Sequence, residues 1–281
     1  MKLDFTSQIE TREYSVEKRT EFSNPQNPSG IDISSITEDV SITFDKSNAL
    51  EPIAKVEISD VKQDGKRRPD NPINQYFLKS GEVLNKLDLS LSSDGRIQRV
   101  VNRDEVLQNW EYIKIYLDNY FVSEDENVMA TLKGWTQQIE ETIKDENQFI
   151  QTIENDLFYN RFFYDYWHDY SLNNQLVKNQ SFPGMFGNAL IVLTGRLTAS
   201  EKDGKKQVAI SGKLNREASD MEAIASSLGM DINDLEGLTI ETKGKCLFDA
   251  VGLIEEIEFE TEAEIAGSDF KRILSLKVRR K

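Results

Sequence analysis

One histidine and one cysteine among 281 residues decide most of the chemistry open to this chain. His168 stands in "DYWHDY", between Asp165 and Asp169, on what reads as the polar side of a helix. There it is solvated or paired with Asp165 rather than acting as a general base. With one histidine so placed, Ser-His-Asp, Cys-His and multi-histidine metal sites within the chain are excluded. Cys246, in "GKCLFDA" next to Leu247 and Phe248, reads as a buried structural thiol. Only Lys243 and Lys245 are near in sequence to lower its pKa. Phosphate-binding glycine loops are absent, since "DGKK" (203–206) lies between two strands rather than before a helix. "SVEK" (15–18) matches S-x-x-K on a strand, where that chemistry requires a helix start. "DINDLEG" (231–237) has the composition of a calcium loop without its alternating oxygen ligands or its sixth-position glycine. The 49 acidic residues leave a carboxylate pair open for hydrolysis and single out no particular pair. No catalytic, metal-binding or cofactor-binding residue is assigned, and no cofactor is expected.

The densest feature is "DLFYNRFFYDYWHDY" (156–170), which holds eight of the aromatic residues. At 100° per residue, Phe158, Phe162, Tyr166 and Tyr170 form one i,i+4 ridge, and Tyr159, Phe163 and Trp167 form the next. Arg161, Asp165, His168 and Asp169 fall opposite, with Tyr164 straying toward them. Burying each large ring contributes about 1.5–3 kcal/mol, so such a face must be covered. A sheet is the usual cover, which makes the ridge core. A ligand cavity or a partner groove is the alternative, and the tyrosine hydroxyls, which need polar partners, favour it. Phe158, Phe162, Tyr166 and Tyr170 are therefore the candidate ligand or partner face.

The elements that position this segment follow from hydrophobic period. Residues 1–102 read as β: Leu3, Phe5, Ser7 and Ile9 share one face, and "VSITF" (40–44), "AKVEISDV" (54–61) and "LDLSLSSDGRIQRVV" (87–101) alternate in the same way. The last bends at Ser93-Asp94-Gly95, a hairpin signal. Loops at 23–30 and 64–72 hold four of the six prolines. The period then becomes helical over 103–170. Asn102 with Glu105, and Ser123 with Glu126, resemble capping boxes. Val106, Trp110, Ile113, Leu117 and Tyr120 form one stripe; Val128, Leu132, Trp135, Ile139 and Ile143 form a second. Phe149, Ile150, Ile153 and Leu157 continue it. From 171 to 281 the chain returns to β, with one short helix capped by Ser219 and Glu222 and closed by Gly229. Turns fall at 201–206, near Gly252 and at Gly267-Ser268. Aligning Gly95 with Gly252 places Leu91 on Phe248, Ile97 on Ile254 and Val100 on Ile257, an echo that is either an internal repeat or chance.

These patterns predict an α+β fold: antiparallel β-rich halves at 1–102 and 171–281, with the helical block 103–170 packed on the apolar face of their sheet as one continuous unit. Phe158, Phe162, Phe163, Trp167, Trp110 and Trp135 are expected to be buried. The long antiparallel strands, the "DGRI" hairpin and helices suited to lie against a curved sheet resemble bacterial lipoprotein-carrier folds, half-barrels that shield acyl chains. The chain departs from that pattern by its missing export signal and its long acidic helical insertion, so no ligand residue is carried over.

A net charge of −15 repels nucleic-acid phosphates and anionic lipid surfaces and favours a basic partner. The basic runs Lys66-Arg67-Arg68 and Lys277–Lys281 are too short to reverse it. No stretch approaches the 18 or so apolar residues of a transmembrane helix. Asp4 interrupts any signal-peptide core, so a cytoplasmic protein is expected, an exported one that has lost its leader being the alternative. One cysteine allows no intramolecular disulfide, which suits either. The function expected is a non-catalytic acidic protein that binds a basic protein partner, of the immunity or secretion-accessory type. Two alternatives stand beside it: a carrier of an apolar or acyl ligand in a cavity lined by the aromatic helix, and a carboxylate- or metal-dependent hydrolase.

Overall fold

The computed structural model describes residues 9–23, 31–47, 51–121, 126–164, 166, 167, 170, 175–182, 185–187, 189–202 and 204–281. The expected α+β class is what forms. In chain order come β1 (Ile9–Ser23), β2 (Ile31–Asp45), β3 (Ile53–Gln63), α1 (Pro72–Gly81), β4 (Lys86–Leu91), β5 (Ile97–Val100) and α2 (Arg103–Tyr120). Then follow α3 (Glu126–Lys144), α4 (Glu146–Asn155), α5 (Leu157–Phe162), β6 (Gln175–Phe182), β7 (Ile191–Lys202) and β8 (Lys205–Leu214). The chain closes with α6 (Met221–Leu228), β9 (Leu238–Phe248), β10 (Ile254–Ile265) and β11 (Lys271–Arg280). The eleven described strands pair in the order β5-β4-β3-β2-β1-β11-β10-β9-β8-β7-β6. Two compact units divide the chain: a central unit, Thr37–Glu154 with the described part of Ser7–Glu13, and a carboxy-terminal unit, Tyr14–Ile36 with Asn155–Lys281. The helical stretch 103–170 is thus shared between them, parting after Glu154. Among the described residues no helix is long and apolar enough to cross a membrane.

In the central unit, Val40, Ile42 and Phe44 of β2, Ala54 and Val56 of β3, and Leu87, Leu89 and Leu91 of β4 are all buried, as their alternation requires. Helix α1 has no counterpart in the sequence reading, although its signals are local. Asn71 Oδ1 accepts from Ile73 N at 2.8 Å, and Pro72 fills the first turn, where its missing N–H costs nothing. Asn102 does not cap α2. Its Oδ1 accepts instead from Asp88 N (2.8 Å) and its Nδ2 donates to Lys86 O (3.3 Å), tying the helix start to β4. Val106, Trp110, Ile113 and Leu117 are buried, but Tyr120, expected in the same stripe, is exposed. On α3 the stripe is weaker than expected: Ile143 is buried, Leu132, Trp135 and Ile139 are half-buried, and Val128 is exposed. Trp135 packs against the rings of Tyr76 (5.8 Å) and Phe77 (5.1 Å), the latter exposed, and does not reach the expected burial. Ser123 lies outside the described residues.

In the carboxy-terminal unit, one inward row of the sheet runs Val16, Val278, Ile257, Cys246, Val208, Ala199 across six strands, and every member is buried. The opposite face of the same strands is charged. Glu256, Glu258, Glu260 and Glu262 of β10 meet Arg279 (3.3 Å to Glu256), Lys245 (2.9 Å to Glu258), Lys243 (2.9 Å to Glu260) and Lys271. Over β9, β10 and β11 seven basic residues match seven acidic ones, so this surface is locally neutral. Helix α6 is capped by Asp220, whose Oδ1 accepts from Ala223 N (2.9 Å); Ser219, the expected cap, bonds the backbone of Val192 instead. Gly229 ends α6 as expected. The calcium-like "DINDLEG" is a 3₁₀ turn over Ile232–Leu235, closed by a capping box between Asp231 and Asp234.

The echo between the halves extends to geometry. Leu91 faces Ile97 in one hairpin and Phe248 faces Ile254 in the other, each beside a one-residue bulge. Both turns are closed by the same bonds: Ser92 N to Arg96 O (2.9 Å) and Gly95 N to Ser92 O (3.0 Å), against Asp249 N to Leu253 O (2.8 Å) and Gly252 N to Asp249 O (3.1 Å). Gly95 at φ 95° and Gly252 at φ 84° occupy a region closed to most L-residues. Each hairpin follows the same succession of strand, α-helix and 3₁₀ turn, the turns being Glu82–Leu84 and Ile232–Leu235. Each also keeps the register of the preceding strand, with Ala54 facing Leu89 and Val208 facing Cys246.

Candidate functional site

The aromatic segment begins at Asp156, which caps α5 by accepting from Phe158 N (2.8 Å) and Tyr159 N (3.3 Å) and pairs with Lys18 Nζ at 2.9 Å. This corrects the long amphipathic helix expected over 158–170. The helix ends at Phe162, and none of the described residues from 163 to 170 is helical. The i,i+4 ridges therefore do not exist as continuous faces. Packing against the sheet replaces them: Phe162 meets Tyr14 edge to face at 5.1 Å, Tyr166 meets Phe248 at 5.7 Å, and Trp167 Nε1 donates to Gly252 O at 2.9 Å. Phe158, Phe162, Tyr166 and Tyr170 are all buried, as are Phe163, Trp167 and Trp110. His168, Asp165 and Asp169 lie outside the described residues. Cys246 is fully buried, and burial pushes its thiol pKa well up, so it is the inert structural cysteine expected.

What the sequence reading missed is Arg161. Helical spacing puts it on a polar face, but its side chain is 0% exposed. Phe259 lies 4.1 Å from its guanidinium carbon, Phe182 5.0 Å and Tyr164 5.3 Å. Among the described residues Nε, Nη1 and Nη2 have no well-aligned hydrogen-bond acceptor, the Tyr164 phenol being the one polar group that interacts with the guanidinium. The fully buried Tyr166 hydroxyl lacks a partner too. Burial pulls the arginine pKa down, while the Tyr164 and Tyr166 phenols act the other way; burial pushes the Tyr166 pKa well up. A desolvated ring contact is worth about 2 kcal/mol or more, which offsets part of the several kcal/mol that desolvating an unpaired ion costs. The sequence held only a partial signal, the aromatics at 158, 159, 162 and 163 on both sides of Arg161; the shortness of α5 and the rings that cover the arginine come from the fold.

A second feature lies in the central unit, on α2. Beside and opposite its buried stripe the helix carries Tyr112 (67% exposed), Ile115 (57%), Tyr116 (43%) and Tyr120 (45%). Tyr116 and Tyr120 stack at 5.2 Å and 12°. Their outer faces already hold cations: Lys79 Nζ is 4.8 Å from the Tyr116 centroid and Arg68 Cζ 5.1 Å from that of Tyr120. The aromatic chain continues inward through Phe121 and Tyr76, whose hydroxyl pairs with Thr136 Oγ1 at 2.8 Å, to Trp135 and the exposed Phe77. Phe77 borders a mainly apolar cleft of about 270 Å³, with Val83, Leu84, Ile139, Ile143 and Phe149 among its walls. Helix α2 is thus apolar on two sides, one packed and one open.

Charge distinguishes this surface. Residues 103–154 hold twelve carboxylates and four basic residues, a net −8 of the chain's −15. Where cations are close they bind tightly: Lys114 (2.8 Å) and Lys144 hold the Glu140 carboxyl down at about 2. Among the described residues no cluster of three or more His, Cys, Asp or Glu side chains could hold a metal ion. No protein-family model matches the chain, and no curated protein matches it.

Proposed function

We propose that this chain is a non-catalytic binding protein whose α2 face recognises a basic, amphipathic segment of a protein partner. The observation that carries the reading is the open second face of α2, an aromatic row lying within the most acidic stretch of the sequence. Exposed apolar patches rimmed by polar groups mark interaction surfaces, and tyrosine is among the residues that dominate binding energy. The charge favours the same partner: the sheet strands β9–β11 are locally balanced, whereas the helices carry uncompensated acid. Lys79 and Arg68 on the rings of Tyr116 and Tyr120 display within the chain the contact a partner's lysine or arginine would make to Tyr112, the most exposed of the row.

The test uses an amphipathic lysine–leucine peptide, titrated by calorimetry at about 0.05 and 0.5 M salt. Binding that weakens at the higher salt, and by about tenfold or more when Tyr112 and Tyr116 are both replaced by alanine, supports the reading. A partner cross-linked through position 112 in the cell of origin should be basic at the contact. Equal binding of a glutamate–leucine peptide, indifference to salt, or an unaltered affinity in the double variant would sink it.

A further inference from the structure

We propose that the cluster around Arg161 is a receptor for the carboxylate of an apolar monoacid, a long-chain fatty acid being the representative ligand. The groups gathered there are donors: three buried guanidinium nitrogens that find no well-aligned acceptor among the described residues, with only the Tyr164 phenol interacting beside them, and the buried Tyr166 hydroxyl, likewise without an acceptor there. Such a set is complementary to a small anion, and the planar fork of an arginine matches the two oxygens of a carboxylate. Charge selects between anions, because one guanidinium balances one negative charge, whereas a phosphate dianion calls for more than one cation. The remainder of the ligand must be apolar, since the surroundings are the rings of Phe182 and Phe259, with Tyr166 leading on to Phe248. Tyr164 is half-buried while its ring lies 5.3 Å from the guanidinium, so it is the member of the cluster that meets solvent, and its displacement opens the way in. A buried positive charge without a counter-ion costs stability in the empty protein; a bound carboxylate cancels that cost, which couples ligand uptake to folding. The site is in the carboxy-terminal unit and owes nothing to the α2 face, so either proposal can fail without the other.

The experiment frees the full chain of ligand by refolding and titrates it with oleate, oleyl alcohol and inorganic phosphate, following binding by calorimetry and native mass spectrometry. One oleate per chain, with at least about tenfold weaker binding of the alcohol, is expected. Arg161→Met should lose that preference for oleate over the alcohol while its ligand-free melting temperature stays at or above that of the wild type. Tyr166→Phe, which keeps the ring, should weaken oleate and leave the alcohol unchanged, and it decides the matter if the methionine variant does not fold. No oleate bound to the wild type, phosphate bound as tightly as oleate, or the same oleate affinity in Arg161→Met or Tyr166→Phe overturns the proposal.

Discussion

Replacing Gly244 by alanine adds one methyl group to β9 at a place where the sheet has no room for it. Gly244 sits between Ile210 of β8 and Phe259 of β10. A Cβ built there would lie 2.7 Å from Glu258 O, 2.9 Å from Phe259 Cδ2 and 3.2 Å from Phe259 Cα. Two of these three atoms are backbone, so β10 must shift rather than a side chain rotate. The third belongs to the ring that lies 4.1 Å from the Arg161 guanidinium, so the displacement reaches the buried arginine. Overpacking of this kind costs about 1–3 kcal/mol. Gly134 supplies the contrast: it is exposed within α3, with nothing within 4 Å of an added Cβ. There alanine should stabilise by about 0.5–1 kcal/mol, because glycine loses more backbone freedom on entering a helix. Equilibrium urea unfolding followed by tryptophan fluorescence, with melting by circular dichroism alongside, measures both. The expected result is opposite signs, with Gly244→Ala melting several degrees lower. A Gly244→Ala protein as stable as the wild type, beside a Gly134→Ala protein that shows its gain, would refute the packing argument.

Asp156→Ala removes the cap of α5 and the partner of Lys18 together, and should cost about 1–2 kcal/mol in urea unfolding, whereas Asp156→Asn, which keeps a capping oxygen, should cost less. Glu140 is depressed to about 2 by Lys114 and Lys144, so its stabilisation is full above the ordinary carboxylate pKa and is lost as pH falls from about 4.5 toward 2. Glu140→Gln should therefore flatten the acid limb of the melting-temperature profile in that window and change nothing in its shape above pH 5 or so. Cys246, fully buried with its pKa raised by burial, should not react with a thiol reagent at neutral pH in the native protein and should react fully in denaturant. Fast native labelling would show that β9 opens locally.

Period and turn chemistry alone determined most of the strands, though not β6 or the helix α1 within the first β stretch, together with the helical interval and the hairpin at Gly95, because those signals are local: alternation marks a half-buried strand, and a positive φ demands glycine. The sequence was also enough to place Cys246 inside and to show that the helical stretch is the most acidic part of the chain. The second apolar stripe of α2, Tyr112 with Ile115 and Tyr116, was equally legible in the sequence, and was overlooked because one stripe suffices to pack a helix. Tertiary structure decided the rest. Helical periodicity over 158–170 yielded beyond Phe162, because eight rings at one locus gain more by packing on Tyr14, Phe248 and the carbonyl of Gly252 than by completing helix bonds. Asn102 and Ser219 left their expected caps for backbone partners in neighbouring strands, which no local pattern reveals. Arg161 is the sharpest case. A wheel drawn on one helix gives every polar residue a solvent side, and only strands β6 and β10, far along the chain, supply the Phe182 and Phe259 rings that close over the guanidinium.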